Sequence, residues 1–456
     1  MTELDPRLIV RAAAVYGASL AAIAVWLWRQ PPAREATGAV LAALWHVPAL
    51  LLLHVAAQRA GWWHFETEGG LLLGIPVDVL LAWAVIWGLV PALAFPRWPV
   101  SAVVALLLLF DALVMPLGAP VLRLGPSWLA GEAVGLLVCV VPAQYLARWT
   151  ARDERLAARA TLQALAFAGL TVFVLPAIAI EGTESAWVPP WTRPAWQLGL
   201  VVQALALPAI LGLSAVQELV VRGGGTPFPF DPPRRLVTTG PYAYVRNPMQ
   251  LSSVLLLLVL GAALGNPWVA GAGVMAHLFS AGLAGWDEDG DLRERFGDGW
   301  LAYRRAVRPW VLRLRPRALP GRRPARLYVS SSCEVCREVG RWFARRGAAA
   351  LSVVPAETHP SGRLRRVTYE SGDGSPAERG IAAIARALEH VHLGWAAVGM
   401  TARLPVLRPL LQVLIDGSGG EARLTGGAGT DDPRPASALD SGGGRPQGGG
   451  IPADLP

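Results

Sequence analysis

Apolar runs long enough to cross a bilayer recur from the N-terminus to about residue 285, and nothing else in the chain restricts its fold so strongly. A membrane-spanning helix needs about 20 apolar residues, because the hydrocarbon core is ~30 Å thick and each residue rises ~1.5 Å. By that measure the sequence predicts about nine spans, near residues 8–28, 38–57, 71–94, 99–118, 127–147, 160–180, 196–221, 249–264 and 267–285. Composition agrees: 53% of residues are hydrophobic, 16% are charged and the mean hydropathy is +0.40, far from a soluble domain. The eighth run is short, and Gly265-Asn266-Pro267 joins it to the ninth as a tight hairpin. The first run lacks a small-residue cleavage site, so no cleavable signal is expected.

Arginines in the short loops set the expected orientation. Arg29 and Arg34, Arg97, and the group Arg148, Arg152, Arg155 and Arg159 fall in alternate loops, on one side. The other side receives the acidic and aromatic stretches Trp62 to Glu66 and Glu181 to Trp187. Nine spans then place the N-terminus outside a bacterial-type inner (plasma) membrane and everything after residue 285 in the cytoplasm. The net charge of +8 suits anionic lipid headgroups better than nucleic acid. His46, His54, Asp78, Asp111, Glu132 and His277 fall within or beside the spans, where an ionisable group marks either a functional position or a pairing inside the bundle. No internal repeat suggests a transporter built from two halves.

Between the seventh and eighth runs lies a polar stretch, Gly223 to Gln250, with Pro227, Pro229, Pro232, Pro233, Pro241 and Pro248. Each proline removes a backbone donor and pushes its predecessor out of the helical region, so this is a loop at the membrane surface. It places Arg234, Arg235 and Arg246 beside Phe228, Phe230, Tyr242 and Tyr244, a mixture suited to a ligand with a carboxylate and an aromatic or cationic part. Glu218, one turn before Arg222, reads either as a salt-bridged helix end or as a group facing that ligand. Leu292, Phe296, Trp300, Tyr303 and Val307 form an apolar stripe after the last hairpin, an interfacial helix that Gly297 and Gly299 must loosen.

GPYAYVRNPM, Gly240 to Met249, followed beyond the hairpin by EDGDLRERFGDGWLAYRRAVRPW, Glu288 to Trp310, resembles a known pair of blocks. They are similar to the C-terminal signature of the isoprenylcysteine carboxyl methyltransferase and phospholipid N-methyltransferase superfamily, membrane-embedded enzymes that use S-adenosylmethionine. The resemblance covers roughly Gly223 to Pro316. It implies a cofactor pocket entered from the cytoplasm and built from Gly240, Pro241, Tyr242, Tyr244, Arg246, Asn247, Pro248, Glu288 and Asp289. A planar guanidinium meets a carboxylate with two parallel hydrogen bonds, so Arg246 is the expected catalytic-site partner of the cofactor carboxylate. Tyr242 and Tyr244 either face the adenine and sulfonium or anchor the loop at the interface, and an acid at Glu288 or Asp289 can accept from amino or ribose groups. The family's usual His is Asn247 here, which favours positioning over base chemistry, and its usual Tyr is replaced at Gln250. The implied acceptor is lipophilic, reached laterally from the bilayer, and carries a thiol, carboxylate or amine.

Residues 326–416 change character. RLYVS reads as a strand, and Ser331-Ser332-Cys333-Glu334-Val335-Cys336 opens a helix with Val335, Val339, Trp342 and Phe343 on one face; LSVVP and RRVTY read as further strands. A strand running into CxxC at a helix start is the thioredoxin-like arrangement, in which the helix N-terminus favours the Cys333 thiolate and Cys336 resolves a mixed disulfide. The segment is similar to DCC-type thiol-disulfide oxidoreductases, although Ser330-Ser331 stands where that family has Asp-Gly. A structural fold without redox chemistry stays open; zinc is disfavoured because a second CxxC is missing, so no metal is expected. Cys139 lies inside a span as a small apolar residue. From residue 417 to Pro456 the Gly, Pro, Ser and Asp composition predicts a disordered tail.

The sequence thus predicts a polytopic α-helical bundle (residues 1–222), a methyltransferase-like region (223–316) and a small α/β thioredoxin-like domain (326–416). Its alternative is a membrane-anchored thiol-disulfide oxidoreductase whose bundle is not catalytic.

Overall fold

The computed structural model describes residues 5–183, 192–317, 323–361 and 364–417. Among them seven helices are long and apolar enough to cross a membrane: Pro6–Arg29, Ala33–Ala60, Val77–Ala94, Val100–Gly118, Trp128–Arg152, Leu156–Glu181 and Ala195–Gly223. They fall on the first seven predicted runs. The eighth and ninth fold as a hairpin of shorter helices, Pro248–Leu264 with 17 residues and Pro267–Phe279 with 13. A helix of the first length rises only about 26 Å, short of the hydrocarbon thickness, so the count of nine is not matched helix for helix. The Asn266 side chain caps the second of the pair by accepting from Trp268 N and Val269 N. Of the predicted outer stretch, Glu184 to Trp187 lies outside the described residues, as does the tail from residue 418 on.

The second helix runs through the middle of the bundle, with Leu50, Leu51, Leu53 and Ala57 in a core shared with Trp63, Trp87, Val103, Leu136 and Val140. Prolines shape its neighbours. Pro91, Pro142 and Pro176 each follow a widened turn, over Val85–Leu89, Leu136–Val140 and Leu170–Val174. A proline interior to a helix clashes with the carbonyl four residues earlier and cannot donate to it; one extra residue in the turn relieves both problems. At one end of the bundle Arg11 pairs with Asp78 at 2.8 Å, and two small antiparallel ribbons form, one from strands β1 (Trp63–Phe65) and β4 (Leu122–Leu124), the other from β2 (Leu71–Leu72) and β3 (Ile75–Pro76). At the other end the arginines of two predicted loops converge: Arg34 and Arg159 both reach Asp153 and Asp231.

The C-terminal region holds a four-stranded sheet in the order β6-β5-β7-β8, comprising Leu351–Pro355, Ala325–Val329, Thr368–Glu370 and Glu378–Arg379. The first two are parallel and joined through the Glu334–Arg345 helix; the other neighbours are antiparallel. Leu327, Val329, Phe343, Tyr369, Ala383 and Ala387 form its core. This region is not a separate appendage. Its Leu393–Arg403 helix packs on the Ala195–Glu218 helix, Ala396 and Met400 meeting Ile210 and Tyr244. Together with Leu407–Ile415, from which it is bent by 94°, that helix is apolar enough to count as an eighth candidate membrane segment.

Candidate functional site

The loop that enters the site is held down before it reaches the signature. The seventh helix ends at Gly224, whose φ of +66° turns the chain back. Arg234 N and Arg235 N donate to Gly223 O, Thr226 bonds the Asp231 main chain and carboxylate, and Phe228 packs on Leu41 and Leu146. Arg234 pairs with Asp153, so this guanidinium is engaged within the protein.

Gly240 then adopts φ +60°, and a Cβ there would stand 3.1 Å from the carboxyl carbon of Glu218. Both the left-handed backbone and the close approach require glycine. Pro241 sets a short 3-10 turn over Gly240–Ala243, and Pro248 opens the next helix at its first turn, where its missing N–H costs nothing. Between them the backbone is tied to the closing basic stretch: Arg246 N donates to Arg308 O at 2.9 Å and Asn247 N to Pro309 O at 3.2 Å.

The Gly285–Ala306 helix completes the site from the far side of the hairpin. It breaks at Gly297 (φ 51°, ψ −130°), the loosening its sequence implied, and the stripe Trp300, Tyr303 and Val307 turns onto the loop. Tyr303 Oη donates to Tyr242 O at 2.9 Å. Trp300 Nε1 donates to Asp289 Oδ1 at 2.9 Å, and Arg304 also pairs with Asp289. The guanidinium of Arg246 sits 5.4 Å from the centre of the Trp300 ring, a cation–π distance. Gln250 stands beside Glu288 and favours its carboxylate form.

Three features of this cluster are chemically telling. Arg246 is half-buried, and burial lowers its proton affinity; Glu288 and Asp289 act on it through space, and among the described residues no carboxylate lies within ion-pair distance. Glu288 keeps an exposed edge, yet the protein crowded round its carboxyl pushes its pKa above the ordinary carboxylate value, against the opposing pull of Gln250 and Arg246. The Tyr242 hydroxyl is buried without a partner among the described residues, and burial raises its pKa far above the ordinary phenol value. This guanidinium, the acid and the buried phenol offer partners for both charges of a zwitterion.

Tyr244 goes elsewhere. It is fully buried against Ala396 and Met400, and its hydroxyl donates to Glu389 O at 2.8 Å. The structure therefore gathers Tyr242, Arg246, Glu288 and Asp289 into one cluster while turning Tyr244 into the C-terminal region. Sequence reasoning placed Trp300 on a packing stripe and treated Gln250 as a loss; their positions beside Arg246 and Glu288 give both a part in the site.

Glu218 also faces the C-terminal region. Its buried carboxylate takes both terminal nitrogens of Arg386, at 3.0 and 2.9 Å, with Arg403 at 3.5 Å, and accepts from Thr239 next to Gly240. Arg386 continues to Glu389 at 2.8 Å and Glu378 at 3.1 Å, and Arg222 binds Asp373 at 2.9 Å. Burial opposes the charge on Arg386, but these carboxylates outweigh it and hold its pKa well above the ordinary value. A cleft of about 90 Å³ lies beside the network, between Thr239, Gly240 and Ala243 of the loop and Tyr369, Asp373 and His390 opposite.

At the second motif Cys333 is the N-cap of the Glu334–Arg345 helix, and its Sγ accepts from Cys336 N at 3.3 Å. Neither cysteine forms a disulfide, and both are half-buried. Burial, reinforced by Cys333, raises Cys336 to about 11. No group of three or more potential metal ligands occurs among the described residues.

No family model matches the chain, and neither the curated proteins nor the solved structures yield a match.

Proposed function

We propose that the chain is an integral-membrane methyltransferase that uses S-adenosylmethionine and acts on a lipophilic acceptor bearing a thiol, carboxylate or amine. The observation that carries this reading is Arg246, half-buried over Trp300 with no carboxylate of the described residues within ion-pair distance, facing Glu288 across the hairpin. In the proposal Arg246 grips the cofactor carboxylate, Glu288 and Asp289 accept from its amino or ribose groups, and Tyr242, Asn247 and Gly240 to Pro248 shape the wall. The sulfonium is already activated, so alignment of nucleophile, methyl carbon and sulfur supplies much of the acceleration and no strong base is required. In this reading the short hairpin dips into the bilayer as an eighth and ninth span, the N-terminus lies outside a plasma membrane, and the site faces the cytoplasm. A lipid-like acceptor would enter between the hairpin and the Ala195–Gly223 helix.

A second reading keeps support of its own. The strand order of the C-terminal sheet and Cys333 at a helix N-cap, with a raised Cys336 behind it, favour a thioredoxin-like thiol-disulfide activity, either additional or primary. Membranes carrying the protein, incubated with methyl-labelled S-adenosylmethionine and extracted with organic solvent, separate the two. The first reading expects label in the lipid phase that disappears in Arg246→Ala and persists in Cys333→Ser. No transfer to any fraction, with thiol exchange abolished in Cys333→Ser, leaves the second.

A further inference from the structure

The first five spans bury a group of polar side chains that methyl transfer does not use. Trp87, near the middle of the third span, is its hub. Gln144 Nε2 of the fifth span approaches both the Trp87 and Gly88 carbonyls at 3.4 Å, in the widened turn ahead of Pro91. The indole Nε1 donates to Asp111 Oδ2 of the fourth span at 2.8 Å. The ring itself lies on Gly135, where a Cβ would come within 3.0 Å of it. Glu132 is one turn before Gly135 on the same helix face, which sets its carboxyl on the side of the helix that meets Trp87 and, through the indole, Asp111.

Asp111 is 5% exposed and Glu132 is 0% exposed. Neither oxygen of Glu132 meets a donor, and no Lys or Arg among the described residues pairs with either acid. The other groups packed round Trp87 carry no compensating charge. His46 of the second span bonds Ala42 O through Nδ1 at 2.7 Å, which leaves its Nε2 a bare acceptor, and its ring stands edge-on to the indole at 6.2 Å. Gln144 Oε1 is likewise unpartnered, and Cys139, on the Glu132 face, is buried. Acceptors with no donor converge from the second and fifth spans in an apolar interior, where an unmet polar group is costly.

Two ionised carboxylates flanking one indole there would repel and would each have lost their hydration. One proton between them replaces the repulsion with a charge-assisted O–H···O⁻ hydrogen bond. The indole N–H already serves Asp111, so Glu132, with no donor of its own, is the group that carries the hydrogen. We propose that Asp111 and Glu132 form an intramembrane proton-binding site: the pair takes one hydrogen ion, held on Glu132 and donated to Asp111. Its occupancy ties the packing of the third, fourth and fifth spans to proton uptake.

The test is infrared spectroscopy of the purified full-length protein at neutral pH. A protonated carboxyl absorbs as a carboxylic C=O stretch, distinct from carboxylate, and shifts in D₂O. The expected result is such a band in the wild type that is missing in Glu132→Gln, whose amide reproduces the donor and preserves the packing. Asp111→Asn, which keeps the acceptor for Trp87 and offers Glu132 an amide N–H, should lose it too and guards against misfolding of the first variant. Identical carboxylic regions in wild type and both variants would mean that both acids are ionised, and would overturn the proposal.

Discussion

Replacing Arg386 by Met should undock the C-terminal sheet from the bundle. Arg386 is 1% exposed and satisfies Glu218, Glu378 and Glu389 at 3.1 Å or less. Without it Glu218, itself fully buried, keeps Thr239, a guanidinium contact at 3.5 Å from Arg403 and one at 3.7 Å from Arg222. Removing one partner of a buried pair typically costs about 3–5 kcal/mol, because an uncompensated charge is left behind. At ~1.4 kcal/mol per factor of ten, the docking equilibrium should fall by about two to three and a half orders of magnitude. Hydrogen exchange reads this locally. The amide that ties the C-terminal region to the closing stretch, Leu393 N to Leu314 O, should exchange faster, while those of β5 stay protected. The second replacement Glu218→Met, made in the same molecule, should recover part of the loss. Unchanged exchange at Leu393 in Arg386→Met, or a double variant worse than the sum of its parts, would refute the reasoning.

Three further outcomes follow from single residues. Glu288 has a raised pKa, so a cofactor amino group that needs its carboxylate should bind less well as pH falls through the region just above the ordinary carboxylate value; Glu288→Gln should flatten that dependence in a binding titration. Cys336, held at about 11, should resist iodoacetamide near neutral pH and react only as pH rises toward that value, so peptide mapping should find the neutral-pH label on Cys333. Gly297→Ala meets no atom within 4 Å but forces an L side chain to φ 51°; it should cost about 1–3 kcal/mol in thermal stability from backbone strain alone.

Much of the architecture was legible because membrane helices obey a length rule that local composition satisfies. The seven long helices, the hairpin turned at Gly265-Asn266, the break at Gly297 and the CxxC at a helix start each depend on residues close in sequence. The interdomain lock was not legible: Glu218 meets Arg386 and Arg403 across separations of 168 and 185 residues, and no spacing rule links such pairs. The same holds for Tyr244, whose neighbours in sequence suggested a ligand and whose burial is decided by the distant Leu393–Arg403 helix. Gln250 looked like a lost contact because a motif records residue types, whereas its place beside Glu288 is something that only packing reveals. The Asp111 and Glu132 pair stood out as costly groups at depth, but their meeting depends on Gly135 admitting Trp87.

The central claim is most directly tested by equilibrium binding of labelled S-adenosylmethionine to detergent-purified protein, comparing wild type with Arg246→Ala and Glu288→Ala. The account predicts saturable binding in the wild type that is lost in Arg246→Ala and weakened in Glu288→Ala, with Tyr244→Phe close to wild type. Well-folded wild-type protein that binds no S-adenosylmethionine, or that binds it equally well without Arg246, would contradict it.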